Sequence, residues 1–154
     1  LQESVFRPRA VSPANAQGLM QITPATLRQH AGCIGRPAAA IDPFDPATNL
    51  ALGQCNLAML HADPATGGTL PRMLAAYNAG LTPVRRWQSE INDQGDPLLW
   101  MEAIPYWETR GYVGIVMRNY WMYERAAGAA SPSRRALAQG RWPEFPQAAT
   151  ISSA

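Results

Sequence analysis

The chain opens with Leu1-Gln-Glu-Ser-Val-Phe6 and, after a short interval, continues with Ser12-Pro-Ala-Asn-Ala-Gln-Gly-Leu-Met-Gln-Ile-Thr-Pro24. We predict that Glu3 lies at the end of a helix, because Pro8 disfavours helical backbone at the residue before it. A loop of small and polar residues follows, and the Thr-Pro pair at its end opens a new helix. Burial beside apolar groups such as Phe6 disfavours the charged form of a carboxyl and raises its pKa. The stretch therefore indicates a general acid at Glu3.

Five short motifs follow one another along the chain in a characteristic order. They are Glu3-Ser4-x-Phe6, Gly18-Leu19-Met20-Gln21, Ala76-Tyr77-Asn78-Ala79-Gly80, Glu102-Ala103-Ile104-Pro105 and Glu108-Thr109-Arg110-Gly111-Tyr112-Val113. Over roughly residues 1 to 125 they resemble the family 1 soluble lytic transglycosylases, and an ordered set is more specific than any single motif. The resemblance implies an all-α, lysozyme-like domain that acts on peptidoglycan glycan strands.

The resemblance also implies a mechanism with Glu3 as the sole acid and base. Glu3 would protonate the glycosidic oxygen between N-acetylmuramic acid and N-acetylglucosamine. It would then take the proton from the muramic 6-hydroxyl as that oxygen closes onto C1, which gives a 1,6-anhydro ring without water. Most glycosidases use two carboxylates that flank the bond. No metal or other cofactor is implied.

Two loop residues are expected to contact substrate because they match the family. Ser12 corresponds to a loop Ser near the N-acetyl group of the substrate, although a Ser-Pro pair also favours a turn by itself. Gln21 matches a Gln that contacts sugar.

Three further residues are expected to bind substrate from helices. The hydroxyl of Tyr77 could orient the Glu3 carboxyl, and the amide of Asn78 could hold an acetamido group. The alternatives are a buried Tyr and an Asn that caps the helix. Glu102 matches a second carboxylate of the substrate groove, and the alternative is a charge on a helix surface. Arg110 is expected to brace the bend at Pro105 through an ion pair.

Composition excludes several classes of function. All 13 basic residues are Arg, they are scattered, and the net charge is +2, so nucleic acid is not an expected partner. There is no run of 18 apolar residues, so the sequence predicts no transmembrane segment. His30 and His61 have no partner at the spacing of metal ligands, which argues against a metal site.

The signals for helix starts and ends predict an all-α fold of about seven helices with no substantial sheet. The predicted helices are 24–31 (ended by Gly32), 47–62, 70–79, a short one after Thr82-Pro83, 98–104, 108–127 and one after Ser131-Pro132. Two apolar faces are predicted: Leu50, Gly53, Leu57 and Leu60 in the second helix, and Tyr112, Ile115, Val116, Asn119 and Tyr123 in the longest. Residues 142–146 are expected to be extended.

Residues 1–128 are expected to form the catalytic domain and residues 129–154 a C-terminal tail. Because the chain lacks an initiator Met and starts inside a motif, it is expected to be part of a longer polypeptide. A periplasmic location is expected from the substrate. It would permit a disulfide between Cys33 and Cys55, although each could equally be a small buried residue.

Two other functions remain open at this point. A goose-type lysozyme-like hydrolase would use water where a transglycosylase uses the 6-hydroxyl, and a shared fold does not decide between them. An inactive glycan-binding module would keep the groove without the chemistry.

Overall fold

The structure is a computed structural model, and it describes residues 3–146. Within this range the chain forms seven α-helices and two short 3₁₀ helices, and strand-like pairing is confined to isolated bridges. The α-helices are α1 (Pro24–His30), α2 (Pro46–Ala62), α3 (Leu70–Ala79), α4 (Leu81–Glu90), α5 (Pro97–Glu102), α6 (Trp107–Ala126) and α7 (Pro132–Ala138). The predicted all-α class is confirmed.

Proline-led helix starts were predicted correctly where a side-chain cap precedes the Pro. The hydroxyl of Thr23 accepts a hydrogen bond from the backbone N–H of Thr26, at 3.2 Å. The carboxylate of Asp96 accepts one from the N–H of Leu98, at 2.8 Å. Each bond satisfies an N–H group that the first turn of a helix leaves without a partner.

The predicted boundaries after α1 and before α4 were wrong, and α5 ends at Glu102, two residues before the predicted end. After α1 the chain continues as a 3₁₀ helix, Ala31–Ile34, and Gly35 ends it at φ 69°, so Gly32 does not. Helix α4 begins at Leu81 directly after Gly80, two residues before Pro83, where a cap at Thr82 would place its first residue.

The chain divides after Met59 into two compact units. In the first unit a small core contains Ile22, Leu27, Ala31, Ile41 and Leu52. Beside it, Cys33 and Cys55 form a disulfide across a separation of 22 residues. A crosslink of that length removes about 3 kcal/mol of chain entropy from the unfolded state, so the bridge stabilises a unit whose apolar core is small.

In the second unit, α3 contacts both α4 and α6, and α5 contacts α6. Helix α3 buries most of its surface, and the surrounding helices contribute large side chains to the same core. The largest fully buried side chains of these helices are Met73, Val84, Trp87, Trp100, Val113 and Met117. Because α3 packs against both α4 and α6, its last turn is held in place. This turn carries Tyr77 and Asn78.

The predicted apolar faces of the two long helices were partly wrong. In α6 the buried residues are Thr109, Val113 and Met117, at spacings of four, whereas Ile115 and Tyr123 are exposed. In α2, Leu50 is exposed as well. Both helices are apolar on more than one side, so periodicity alone does not decide which side packs.

The segment after α7 is extended, as predicted, and pairs with the residues that precede α3. The N–H of Leu70 donates to the carbonyl of Pro143 at 2.8 Å, and the N–H of Phe145 donates to the carbonyl of Gly68 at 2.9 Å. An isolated bridge joins Thr69 to Glu144 between them. These bonds attach residues 143–145 to the start of α3.

Candidate active site

Glu3 lies in the first unit, in a turn over residues 3–6, and not in a helix. Its side chain is half-buried. Phe6, which was expected to help bury it, is 64% exposed. Val5 and Phe6 both have left-handed backbone conformations, at φ 53° and 60°. Because a β-branched residue rarely adopts this conformation, the turn that follows Glu3 is strained.

Ser12 forms the turn that the alternative interpretation predicted. Its Oγ accepts a hydrogen bond from the N–H of Ala16 at 3.1 Å, and its backbone N–H donates to the carbonyl of the same residue. The hydroxyl therefore closes a loop, and its own hydrogen can still donate to a ligand.

Gln21 holds the next part of the same loop together. Its Nε2 donates to the carbonyls of Ala10, at 3.2 Å, and Gly18, at 2.8 Å. Both amide hydrogens are thereby used, so Oε1 is the atom that Gln21 can offer to a sugar hydroxyl.

Asn49, at the start of α2, fixes this loop from beneath and was missed by sequence reasoning. It is fully buried, and its Oδ1 accepts from the N–H of Met20 at 2.7 Å. Its Nδ2 donates to the carbonyls of Gln17 and Pro43, at 2.9 and 2.7 Å. One amide thus satisfies three partly buried backbone groups, which holds the loop that carries Gln21 in place. No sequence motif around Asn49 signalled this role.

In the second unit, a groove of about 420 Å³ lies where α3 ends and α6 begins. Its lining residues are Asn78, Ala79, Pro105, Tyr106, Trp107, Glu108 and Thr109. It combines apolar and aromatic surface with a few polar groups, as small-molecule sites commonly do.

The aromatic residues of this groove differ in how they are held. Tyr106 packs edge-on against the buried Trp87, with ring centres 4.9 Å apart, and its hydroxyl accepts a long 3.4 Å bond from Arg86. Trp107 is 80% exposed. Such an exposed indole offers an apolar face to a ligand. Sequence reasoning missed Trp107, because a single Trp gives no signal of its own.

The predicted site residues of the second unit occupy different positions relative to the groove. Tyr77 is half-buried in the last turn of α3, and Asn78, next to it, is exposed and lines the groove. Glu102 is the last residue of α5 and is exposed, and it is not among the lining residues. Glu108 is the carboxylate in the groove, at the first turn of α6.

Arg110 braces the bend before α6, but not in the way that was predicted. Its Nε donates to the backbone carbonyl of Ile104 at 3.1 Å, so the brace is a bond to a carbonyl and not to a carboxylate. Pro105 follows directly, and the bond fixes the chain where it turns into α6.

Within residues 3–146, no group of three or more His, Cys, Asp or Glu side chains comes close enough to hold a metal ion. The helices in the same range also lack the combination of length and apolar character that is needed to cross a membrane.

The transglycosylase SLT domain matches residues 1–99, which is well over half of the chain. The chain belongs to this SLT family. All of the first three sequence motifs lie within the matched range.

Relatives in the SLT family are named for peptidoglycan cleavage. The chain is 35% identical to a putative soluble lytic murein transglycosylase of Haemophilus influenzae, a match that covers 85% of this chain and 22% of the relative. It is 36% identical to the soluble lytic murein transglycosylase of Escherichia coli K12, over 75% of this chain and 18% of that protein. The chain therefore spans about a fifth of the length of these relatives.

Solved SLT structures confirm the lysozyme-like transglycosylase fold. The 70 kDa soluble lytic transglycosylase of Escherichia coli is 35% identical, with a TM-score of 0.72 over 83% of this chain and 21% of that one. The Slt enzyme of Pseudomonas aeruginosa is 34% identical, with a TM-score of 0.73 over 85% and 21% of the two chains. That structure is of an inactive mutant in which a glutamate is replaced by glutamine.

Proposed function

We propose that this chain carries the catalytic site of a peptidoglycan lytic transglycosylase. Its substrate is the β-1,4 bond between N-acetylmuramic acid and N-acetylglucosamine, and its product ends in 1,6-anhydro-N-acetylmuramic acid. Membership of the SLT family carries this proposal. The inactive glutamate-to-glutamine mutant of the Pseudomonas aeruginosa relative supports a mechanism that depends on one carboxyl group.

Glu3 is proposed to act first as an acid and then as a base. Its carboxyl proton moves to the glycosidic oxygen as the bond from that oxygen to C1 of the muramic acid breaks. The positive charge that develops at C1 is stabilised by the muramic N-acetyl carbonyl. The Glu3 carboxylate then removes the proton of the 6-hydroxyl while its oxygen bonds to C1. Glu3 ends protonated, as it began, and no water is consumed.

The loop of the first unit supplies two proposed contacts. The hydroxyl hydrogen of Ser12 donates to an acetamido carbonyl, because its oxygen already accepts from Ala16. Oε1 of Gln21 accepts from a sugar hydroxyl, because its amide hydrogens are bonded to the backbone. Asn49 keeps this loop in place and does not need to contact substrate.

The second unit supplies the remaining proposed contacts. The hydroxyl of Tyr77 and the amide of Asn78 bind the sugar, and Glu102 contributes a carboxylate from the end of α5. The exposed face of Trp107 packs against the apolar face of a sugar ring, and Glu108 accepts from sugar hydroxyls in the groove. Residues 1–128 are proposed as the catalytic domain and residues 129–154 as a tail.

We propose that the protein acts in the periplasm. Peptidoglycan lies outside the cytoplasm, and the disulfide between Cys33 and Cys55 is typical of an oxidising compartment. The relatives are about four times as long as this chain. Because this chain matches only part of these relatives, the activity of the complete protein is also a proposal.

Digestion of purified sacculi tests the function directly. Released muropeptides are separated and weighed with and without borohydride treatment. We expect ends that are lighter by one water than lysozyme products and that resist reduction, because the 6-hydroxyl is tethered to the reacting sugar and has a large effective concentration. Reducible ends would contradict the proposal and would show that the enzyme is a hydrolase. Binding without any released product would replace it with a glycan-binding module.

A further inference from the structure

Asn78 and Thr109 form a polar pair in the groove at the start of α6. The hydroxyl of Thr109 donates to Oδ1 of Asn78 at 2.7 Å. Thr109 is only 2% exposed, whereas Asn78 is exposed, and both line the groove. The pair therefore joins a buried hydroxyl in α6 to a ligand-accessible amide in α3.

The bond decides which end of the amide is available to a ligand. An Asn side chain carries an acceptor at Oδ1 and two donors at Nδ2, and it can rotate to exchange them. After a rotation that exchanges the two ends of the amide, Nδ2 would donate to the Thr109 oxygen, and the hydrogen of this buried hydroxyl would lose the acceptor that it has in Oδ1. The Nδ2 donors are therefore the polar atoms that Asn78 presents to a ligand in the groove.

We propose that Thr109 is a positioning residue that makes Asn78 a donor for the carbonyl of an N-acetyl group. The inference rests on the proposed function and deepens it, since it assigns a preference for N-acetylated sugars to one buried hydroxyl. A pair of amide hydrogens matches a carbonyl oxygen better than it matches the ammonium group of a de-N-acetylated sugar. The exposed indole of Trp107 in the same groove provides apolar surface for the ring that carries the acetamido group.

A solely structural role for Thr109 makes a different prediction. If the hydroxyl only satisfies a buried polar group, its removal lowers the stability of the fold and affects all ligands alike. If it orients Asn78, its removal lowers affinity selectively for acetylated ligands. The two roles can therefore be separated by comparing two sugars on the same variants.

The test measures the binding of chitotetraose and of its fully de-N-acetylated form by calorimetry, for the wild-type chain, Thr109→Val and Thr109→Ser. Val keeps the shape of Thr without the hydroxyl, and Ser keeps the hydroxyl. We expect Thr109→Val to weaken binding of the acetylated sugar about threefold to tenfold, the range of one hydrogen bond. We expect little change for the de-N-acetylated sugar, and Thr109→Ser should bind both sugars within about twofold of wild type.

A double-mutant cycle with Asn78→Ala completes the test. Once the amide is absent, Thr109→Val should cause no further loss of affinity for the acetylated sugar. Equal losses for the two sugars, additive losses in the cycle, or a wild-type chain that binds both sugars equally would overturn the proposal. Should Thr109→Val fail to fold, Thr109→Ala replaces it in the same comparison. The anhydro ends of the products depend on Glu3, so their loss would count against the proposed function and not against this one.

Discussion

The guanidinium carbon of Arg72 lies 4.0 Å from the centre of the Trp142 ring. The same group is 5.8 Å from the ring of Trp100, and it forms an ion pair with Asp93 at 3.7 Å. Burial lowers the pKa of Arg72, and Asp93 acts in the opposite direction. This cation joins α3 to α5 and to the segment after α7, so it stabilises the helix that carries Tyr77 and Asn78.

Replacement of Arg72 by Lys should lower the free energy of unfolding by about 1 kcal/mol. Lys keeps the charge but loses the planar group that stacks on Trp142. Urea unfolding followed by tryptophan fluorescence measures the change. The control is Arg86→Lys, since Arg86 is exposed and its pair with Glu90 contributes little. Equal losses in the two variants would show that stacking on Trp142 does not stabilise the fold.

Replacement of Gly18 by Ala should destabilise the first unit by several kcal/mol. Gly18 has φ 77°, and a Cβ there would lie 2.3 Å from Nδ2 of Asn49 and 2.6 Å from the carbonyl of Pro43. Gly35→Ala is the matched control, because Gly35 has φ 69° and nothing within 4 Å of the added atom. The control substitution should lower the free energy of unfolding by only about 1 to 2 kcal/mol, which is the cost of placing a side chain on left-handed backbone. If thermal unfolding shows the same loss for both, the close contact with Asn49 is not the cause.

Replacement of Glu3 by Gln should reduce the release of muropeptides from sacculi at least about 100-fold. The amide keeps the size of the side chain and removes the proton that a general acid must supply. Binding to sacculi, measured by sedimentation, should remain close to wild type. The control is Glu90→Gln, at an exposed position outside the proposed site, which should keep full activity. A Glu3→Gln variant with half of the wild-type rate would exclude Glu3 as the acid.

Alkaline pH should destabilise the second unit through Tyr120. This residue lines a cavity of about 810 Å³ between α6, α7 and the segment after α7, residues 141–146. Burial and then the neighbouring Glu124 raise the pKa of Tyr120 to about 12. The unfolded chain loses this proton near pH 10. The stability that protonated Tyr120 contributes to the fold is therefore fully present below about pH 10, and it is lost as the pH rises to about 12.

Urea unfolding at pH 8 to 12 measures this contribution by difference. Tyr120→Phe should lose less stability than wild type over the upper part of that range, because Phe does not titrate. Tyr123→Phe, at an exposed position, should follow the wild-type curve. If the curves of wild type and Tyr120→Phe stay parallel above pH 10, the raised pKa of Tyr120 does not contribute to stability.

The candidate site divides into residues that the sequence located and residues that it could not locate. Asn78 was expected because it belongs to a motif, and Thr109 belongs to another motif whose function was not recognised. The bond between them became visible only when α3 and α6 were placed side by side. Trp107 belongs to no motif, and its exposure is a property of the folded surface.

The sequence by itself determined the all-α class, most helix starts and the family, because these depend on local signals. Thr23 and Asp96 cap their helices through bonds to residues two or three positions away. The tertiary structure alone decided which sides of α2 and α6 are buried and which partners distant residues find. Asn49 illustrates the reason. Its amide bonds to the N–H of Met20, 29 residues earlier, and such a bond depends on the packing of the whole unit and not on any local pattern.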